Sequence, residues 1–392
     1  MSRRVLLFGA FEDDAAYPRT LALKKGLELH GVEVFTLRES LLPVGDARKK
    51  VMAQPWRWPG AAARVWWGQR NLRERLRALL HEVRFDAVIV PYPGWFSVRD
   101  ARALFDGPVL LDLFFSLRDT VTCDRKMFSE RGPVAAALGA LDKRACRAAD
   151  RVFLDTPQHA RAVAELVGLP NSAFEYVPVC DPKAPSSATP PRVRSASEPA
   201  RALYLGTGVP LHGVERILEA MRQVEGVELT FIGGTPEQRT AACGVDNVVR
   251  IEEWVGGAEM RQVLDDHDVV FGAFGTSDKA HNVIPLKIVH ALAHGRLVLT
   301  ADTPAARTLL SPGQDCLTVP VGSVEGIVRA LGGVRDGPLL VEHLACAARL
   351  RYERTFSARA TGRRLVRILE SVSGESWDAA VRVAREPAVS LA

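Results

Sequence analysis

Residues 202–221 read ALYLGTGVPLHGVERILEAM, and they have the pattern of a strand, a turn and a helix. The apolar run Ala202–Gly206 predicts a strand, a glycine-rich turn follows, and apolar residues at helical spacing then predict a helix. A turn that opens a helix presents backbone N–H groups and the positive end of the helix dipole, which suits a phosphate. An ordinary tight turn between a strand and a helix has the same residues, so both interpretations of the turn stay open.

The same alternation of strands and helices continues on both sides of this stretch. The predicted strands of the first half are Val5–Gly9, Val32–Thr36, Asp86–Pro91, Val109–Leu113, Val152–Asp155 and Tyr176–Pro178. Those of the second half are Ala202–Gly206, Glu228–Gly233, Val248–Ile251, Asp268–Gly272, Leu297–Thr300 and Leu317–Pro320. Helical patterns lie between the strands of the first half, for example at Thr20–Leu29. The predicted helices of the second half are 213–224, 258–266, 285–294, 303–310 and 322–331, with helical sequence over 339–372. Such alternation predicts two doubly wound α/β units with parallel strands.

The chain of 392 residues is too long for one ordinary core, which favours two domains. Residues Asp181–Ala200 are rich in Pro, Ser and Ala and show no apolar periodicity, so we predict a linker there. We predict these regions: a domain over 1–180, the linker over 181–200, a domain over 201–355, a helix over 356–374 that returns to the first domain, and a tail over 375–392. Because open α/β sheets bind ligands at the carboxyl ends of their strands, we expect an active site in a cleft between the two domains.

Charge and composition exclude several classes of protein. The formal net charge of +5 and the pI near 9 indicate a mild attraction to anions and are too weak to predict nucleic-acid binding. The six cysteines show no CxxC spacing, which argues against a zinc site or a disulfide framework. The first apolar run is too short for a signal peptide and no stretch is long enough to span a membrane, so we expect a cytoplasmic protein.

The densest group of candidate residues lies in 271–300, FGAFGTSDKAHNVIPLKIVHALAHGRLVLT. A loop of small and polar residues leads to a helix that Pro285 begins and Gly295 ends. Backbone N–H donors of this loop, with Lys279 and Lys287 nearby, are suited to a diphosphate.

Two histidines of that helix raise the question of a metal site. His290 and His294 are spaced i, i+4, as two metal ligands on one helix are. No acidic or third ligand accompanies them in the sequence, so we predict no metal site and no cofactor.

Several ordered motifs resemble glycosyltransferase family 4, of the GT-B fold. They are LYLGTGVPLHGVERILEAM (203–221), LTFIGG (229–234), DDHDVVFGAFG (265–275), NVIPLKIVHALAHGRLVLTADTPAARTLL (282–310), DAVIVPYPGW (86–95), Asp112–Lys126 and FLDTPQHARAVAELVGLP (153–170). The resemblance covers nearly the whole chain. It implies two Rossmann-like domains that face a cleft, and transfer of a sugar from a nucleotide-sugar donor with retention of configuration and without a required metal.

The resemblance also implies which residues bind the donor, mainly in the C-terminal domain. These are Gly206, Thr207, Gly208, His212, Gly275, Asn282, Val283, Ile284, Lys287 and His290. The family usually carries two glutamates at the positions of Asn282, which would contact the donor sugar as a catalytic residue, and His290, which would hold the ribose. Asn and His can still form hydrogen bonds with hydroxyls, but neither supplies a carboxylate. An Arg and a Lys that grip the diphosphate in the family correspond to Thr207 and His212, and Lys287, His212 and backbone N–H groups are the candidates to compensate.

The N-terminal domain is expected to bind the acceptor, which is a glycan, a lipid-linked molecule or a small molecule. Its candidate loops are Gly9–Arg19, Pro91–Phe96 and Leu113–Asp124, and the acceptor-binding candidates in them are Arg19, Gly94, Arg118 and Asp119. We assign Asp119 to position the acceptor hydroxyl, as the second catalytic candidate. Surface ion pairs are the alternative role for these charges.

Residues 54–84, QPWRWPGAAARVWWGQRNLRERLRALLHEVR, combine four tryptophans with many arginines. Basic residues interleaved with Trp are typical of segments that lie on a membrane surface, which would suit peripheral attachment at the inner face of the membrane. The other interpretation is a helical excursion that packs its tryptophans on the domain or lines an acceptor groove.

Two further functions stay open beside the active transferase. Because Asn282 and His290 replace glutamates, the chain is alternatively a catalytically silent homologue that assists another transferase. A sugar epimerase of the same two-domain fold is disfavoured, because the motifs match the transferases in both halves.

Overall fold

The structure is a computed structural model that describes residues 2–11, 18–41, 54, 56, 58–124, 127–190, 194–195 and 198–377. Contacts between Cα atoms divide the chain into two compact units. The first comprises the described residues of 1–155, 160–177 and 361–392, and the second those of 156–159 and 178–360.

The first unit alternates strands with helices. Its elements are β1 (Arg4–Gly9), α1 (Pro18–Glu28), β2 (Glu33–Arg38), α2 (Trp58–Glu82), β3 (Ala87–Val90), α3 (Ser97–Leu104), β4 (Val109–Asp112), α4 (Pro133–Arg147), β5 (Arg151–Leu154), α5 (Pro157–Val167), which begins in the second unit, and β6 (Phe174–Tyr176). A helical turn at Leu117–Asp119 and a π-helical turn at Thr120–Asp124 follow β4. Residues 171–173 form a short 3-10 helix.

The second unit has the same alternation. Its elements are β7 (Ala200–Gly206), α6 (Val214–Met221), β8 (Val227–Gly233), α7 (Pro236–Cys243), β9 (Val248–Glu252), α8 (Gly257–Asp265), β10 (Val269–Phe271), α9 (Asp278–Asn282), α10 (Leu286–Ala293), β11 (Leu297–Ala301), α11 (Pro304–Leu309), β12 (Leu317–Val319), α12 (Val324–Asp336) and α13 (Pro338–Arg351). A 3-10 turn lies at Pro210–His212 and a π-helical turn at Tyr352–Phe356. The last described helix, α14 (Ala358–Ser373), packs in the first unit from Thr361 onward.

Each unit contains a parallel sheet of six strands among its described residues. The order is β2-β1-β3-β4-β5-β6 in the first unit and β12-β11-β10-β7-β8-β9 in the second. Counted from β7, the second order is the 3-2-1-4-5-6 of a dinucleotide-binding Rossmann sheet. The predicted fold class of two doubly wound Rossmann-like domains is therefore confirmed. Every predicted strand is present, and β6 is displaced most, since it begins at Phe174 rather than Tyr176.

The strands are apolar throughout because helices cover both faces of each sheet. In β1, Leu6 and Phe8 join one buried apolar cluster, whereas Val5 and Leu7 join another on the opposite face. Leu365 and Leu369 of α14 are fully buried in the second of these clusters. The C-terminal helix is thus part of the core of the first unit.

The proline- and serine-rich segment after residue 180 is held against the second unit rather than loosely extended. The Arg349 guanidinium donates to the carbonyl of Ser186 (2.8 Å), and that of Arg296 donates to the carbonyl of Thr189 (3.0 Å). The described residues of this segment before Ala200 form no helix or strand. Its composition does not reveal that arginines distant in sequence donate hydrogen bonds to its carbonyl groups.

Candidate functional site

The candidate site lies where the strand order of the second sheet reverses, between β7 and β10. The chain leaves these neighbouring strands toward opposite sides of the sheet, which opens a crevice at their carboxyl ends. The loops after the two strands meet there, since the amide of Phe274 donates to the carbonyl of His212 (3.1 Å) and that of Gly275 donates to Leu211 (3.0 Å). The glycine-rich turn after β7 and the loop of small residues after β10 are separate motifs in the sequence, but they contact each other in the structure.

Glycines make this approach of the two loops feasible. At Gly213 φ is +62°, and a Cβ would lie 2.5 Å from the carbonyl carbon of Phe274. At Gly275 a Cβ would lie 2.7 Å from the Cα of Leu211. A side chain at either position would push the loops apart.

Two helices begin at this crevice without a side-chain cap. Helix α6 starts after Gly213 and α10 after Pro285, and neither preceding residue has a side chain that accepts from the first turn. The first N–H groups of each helix therefore lack a partner within the helix and add to the positive end of its dipole. Such N-termini favour anions.

Lys287, in the first turn of α10, is the principal charged group of the site. Its side chain is buried, with 6% of the residue exposed, and among the described residues its Nζ has no hydrogen-bond partner. The Nζ lies 4.6 Å from the centroid of the Tyr204 ring. Burial holds the pKa of Lys287 well below its ordinary value of 10.5. A buried ammonium without a partner is costly, and a bound anion would supply the missing interaction.

His212 is not a second cation. Its Nδ1 lies 3.1 Å from the hydroxyl of Tyr204. Burial, together with the nearby charge of Lys287, lowers the pKa of His212 to about 2, so the imidazole is neutral near pH 7. Its predicted compensation for a basic residue is therefore limited to hydrogen bonding, which leaves Lys287 as the cation.

His290 lies one turn after Lys287 and has a partner that the sequence did not reveal. Its Nδ1 is 3.0 Å from Oδ2 of Asp181. Burial raises the pKa of Asp181, but the hydrogen bond and charge of His290 outweigh burial, so the pKa lies below its ordinary value. A carboxylate thus stands beside His290, the histidine that we predicted to take the place of a family glutamate. No local pattern could have predicted this pair, because 109 positions separate its members.

The remaining donor candidates differ in surroundings. Asn282 ends α9, and its carbonyl accepts from the hydroxyl of Thr156, which groups with the same unit. Val283 and Ile284 are buried, whereas Thr207 is exposed. The structure therefore brings the predicted loops and α10 together at one edge of the sheet, and the donor role of each residue stays a prediction.

In the first unit, Arg19 is held by structural contacts. Its Nε donates to both carboxylate oxygens of the buried Asp112 (3.0 and 2.7 Å). Its other nitrogens donate to the carbonyls of Val177 (3.1 Å) and Leu154 (3.4 Å). These contacts bind α1 to the strand ends and favour a structural role over the predicted role in acceptor binding.

Asp119 lies on the turn after β4, and a buried carboxylate shapes that turn. Asp142 accepts from the Ser116 hydroxyl (2.7 Å) and from the amides of Leu117 (3.0 Å) and Arg118 (3.1 Å). Burial raises the pKa of Asp142. The amide of Asp119 donates to the Ser116 hydroxyl (3.1 Å) and its carboxylate makes no hydrogen bond or ion pair within the described part of the chain, so its role at the acceptor stays a prediction.

The other acceptor candidates are less informative. Gly94 is buried, and a Cβ there would lie 2.8 Å from Leu111. The guanidinium of Arg118 donates to the carbonyl of Glu130 (3.4 Å). Parts of the predicted regions lie outside the described residues: 12–17 of the first loop, the side chains of 123 and 124, residues 191–193 and 196–197 of the linker, residues 55 and 57 and the side chain of 58 in the tryptophan-rich stretch, and the tail from 378.

Among the described residues, no group of three or more His, Cys, Asp or Glu side chains is placed to hold a metal ion. In the same part of the chain, no helix combines the length and apolar character that crossing a membrane requires.

Comparison with known proteins finds a family model that matches the residues around this site. Residues 199–334 match the family model described as Glycosyl transferases group 1. This match covers about a third of the chain and contains β7, β10, α6 and α10. No curated protein matched the sequence.

Three solved structures resemble nearly the whole chain. Sucrose-phosphate synthase from Thermosynechococcus elongatus has a TM-score of 0.66 at 14% identity, covering 95% of this chain and 100% of its own. A glycosyltransferase from Rickettsia africae has a TM-score of 0.64 at 12% identity, and the match covers 96% of this chain and 100% of its own. HepE from Anabaena, solved with UDP and glucose, has a TM-score of 0.62 at 13% identity, and the match covers 95% of this chain and 100% of its own. At these identities the likeness shows the GT-B fold.

Proposed function

We propose that this protein is a glycosyltransferase that moves a sugar from a nucleotide-sugar donor to an acceptor, with retention of configuration. The donor diphosphate would bind at the N-terminus of α10, between the loops after β7 and β10. The ammonium of Lys287, which has no hydrogen-bond partner in the described part of the chain, carries this proposal, because it is buried at the strand reversal where α/β sheets bind nucleotides. The family match over 199–334 supports sugar transfer as the reaction.

The proposed chemistry depends on the leaving group. As the bond to the sugar breaks, negative charge grows on the leaving phosphate. Lys287 and the free N–H groups of α6 and α10 are already oriented, so they would stabilise that charge without reorganisation. One such donor is typically worth about 3 kcal/mol of the barrier. We therefore propose that transfer needs neither a metal nor another cofactor.

Two side chains are proposed to assist at the reacting centre. Asn282, at the end of α9, would contact the donor sugar through its amide. Asp119, whose carboxylate makes no hydrogen bond or ion pair with the described residues, would orient the acceptor hydroxyl. The leaving phosphate would accept the hydroxyl proton on the same face as the departing bond, which accounts for retention without a protein nucleophile.

Thermal unfolding with UDP, GDP, dTDP, CDP and ADP, each free and sugar-linked, tests the proposal. UDP comes first because HepE was solved with it. A nucleotide at about 100 times its Kd adds about 2.7 kcal/mol, which raises Tm by several degrees. We expect Lys287→Met to lose this shift and Lys25→Met, which changes an exposed lysine of α1, to keep it.

The outcomes separate the two functions. A shift accompanied by release of free sugar or transfer to an acceptor supports the enzyme. Binding without turnover of any sugar-linked donor would instead support the catalytically silent homologue. An absence of binding to every nucleotide would contradict the site at α10.

A further inference from the structure

Helices α2 and α3 form an exposed surface that the proposed transfer does not use. Trp66 and Trp67 on α2 are 57% and 62% exposed, and Phe96, which precedes α3, is 50% exposed. The two indole rings pack edge to face, with centroids 4.8 Å apart. We call these three aromatic side chains, together with the arginines Arg64, Arg73, Arg77 and Arg99, the tryptophan–arginine face.

The opposite side of α2 explains why these tryptophans stay outside the core. Leu72 and Leu76 are fully buried, and Gly68 lies against Leu41 so closely that a Cβ would overlap it. This stripe anchors α2 to its unit. Trp66 and Trp67 lie off the stripe, so the interpretation that they pack on the domain is wrong for these two residues.

A groove of about 740 Å³ runs between the two helices. The helices lie side by side in the same direction, since Gln69 donates to the Ser97 hydroxyl (3.0 Å) and Arg73 to Asp100 (3.3 Å). The walls of the groove are mainly apolar, with Val65, Trp66 and Phe96 among the lining residues. Apolar walls that open to solvent are suited to an apolar partner.

The charge around the groove selects the kind of partner. Helix α2 contains five arginines and two glutamates. Arg64 and Arg77 are exposed and make no ion pair with any described residue. Arg73 and Arg99 stand at the groove itself. Asp100, the partner of Arg73, also lines the groove, and Arg99 leaves an excess of positive charge there. An apolar surface with an excess of positive charge complements an anionic one.

We propose that the tryptophan–arginine face binds the surface of an anionic lipid bilayer. Trp66, Trp67 and Phe96 enter the interface between headgroups and acyl chains, where amphipathic indoles are favoured. The arginines contact anionic headgroups while their alkyl stems cover apolar surface. A second copy of the chain fits less well, because a twofold contact would place the same arginines opposite each other. The inference does not depend on the proposed transfer.

Flotation with lipid vesicles tests this surface on the full chain. Vesicles of phosphatidylcholine are compared with vesicles in which phosphatidylglycerol replaces a third of it. We expect binding to the anionic vesicles only, a blue shift of tryptophan emission on binding, and release by high salt, because screening shortens the reach of surface charges. Removal of one arginine near an anionic surface should weaken partition about fivefold.

Two double variants and a matched control identify the face. Trp66→Ser with Trp67→Ser should abolish the blue shift and binding, and Arg64→Gln with Arg77→Gln should weaken binding. Trp254→Ser with Arg261→Gln removes an exposed tryptophan and an exposed arginine of the second unit and should change neither. Thermal unfolding of each variant verifies that it folds.

Three results would overturn the inference. These are equal binding of the control and the two double variants, equal binding to neutral and anionic vesicles, and no binding at all. A dimer in solution that the tryptophan variant dissociates would also overturn it, by assigning the face to self-association.

Discussion

Lys287 is the residue on which the chemistry of the candidate site depends. Its ammonium is removed from water and has no hydrogen-bond partner among the described residues, so its pKa lies well below 10.5 in the ligand-free protein. At pH values between this lowered pKa and 10.5, the unfolded chain therefore binds more protons than the folded chain, and Lys287 lowers the stability of the ligand-free protein. A bound diphosphate would raise the pKa of Lys287 again, because it stabilises the charged form of the side chain.

We expect nucleoside diphosphate binding to be accompanied by proton uptake at pH values above the ligand-free pKa of Lys287. The bound diphosphate raises the pKa of Lys287. The affinity for the nucleotide is therefore highest below the ligand-free pKa and is lost as the pH rises through the pKa of the complex. Calorimetry at one pH in buffers of different ionisation enthalpy measures the uptake. His212 cannot contribute near neutral pH, because its pKa is about 2. Identical heats in every buffer, over the whole range in which the nucleotide binds, would contradict this role of Lys287.

At the scale of elements, the site is made by two loops that have to touch. The loops after β7 and β10 share backbone hydrogen bonds through Leu211 and His212. Each loop also leads toward a helix whose first N–H groups are uncapped, α6 and α10 respectively. The contact between the two loops therefore positions both helix N-termini at the proposed anion site.

Gly213→Ala should lower stability and weaken nucleotide binding. The residue has φ +62°, which costs a side chain about 1 kcal/mol or more, and the new methyl group would also overlap Phe274. Gly313→Ala is the matched control, because Gly313 has φ +76° but no atom within 4 Å of the place that its new methyl group would take. Denaturant unfolding and nucleotide titration of both variants separate backbone strain, which they share, from loop contact, which only Gly213 makes. Equal effects of the two substitutions would show that the contact does not matter.

At the scale of the whole molecule, each unit has its own core. The first core includes the C-terminal helix α14, whose Leu365 and Leu369 pack with Val5 and Leu7 of β1. The second is a separate cluster that contains residues of β7 and β10. Separate cores of this kind allow the two units to open independently.

Leu369→Asp should therefore damage the first unit selectively. A carboxylate placed in an apolar core destabilises by several kcal/mol. Hydrogen exchange should increase in β1 and β3, while β7, β10 and nucleotide binding are retained. Arg367→Asp introduces the same group at an exposed position of α14 and should leave exchange unchanged. Equal loss of protection in both units would show that they unfold as one.

The sequence by itself determined the strands and their order along the chain. Twelve apolar runs alternate with helical patterns, and such runs are legible locally because parallel strands are buried on both faces. The turns at the glycines and the helix start at Pro285 could also be predicted from the sequence, since each of these residues imposes or permits a particular backbone conformation. The short helix α7 was not predicted, because its exposed, polar sequence has little apolar periodicity.

Only the tertiary structure decided what surrounds the charged groups. Lys287 and Lys279 looked equivalent in sequence, and only the structure shows that Lys287 is buried and that its ammonium has no hydrogen-bond partner among the described residues. The contacts of Arg19 with Asp112 and of His290 with Asp181 join positions 93 and 109 residues apart. Periodicity reports the local environment of a backbone, whereas the pKa and role of a side chain depend on neighbours that distant segments supply.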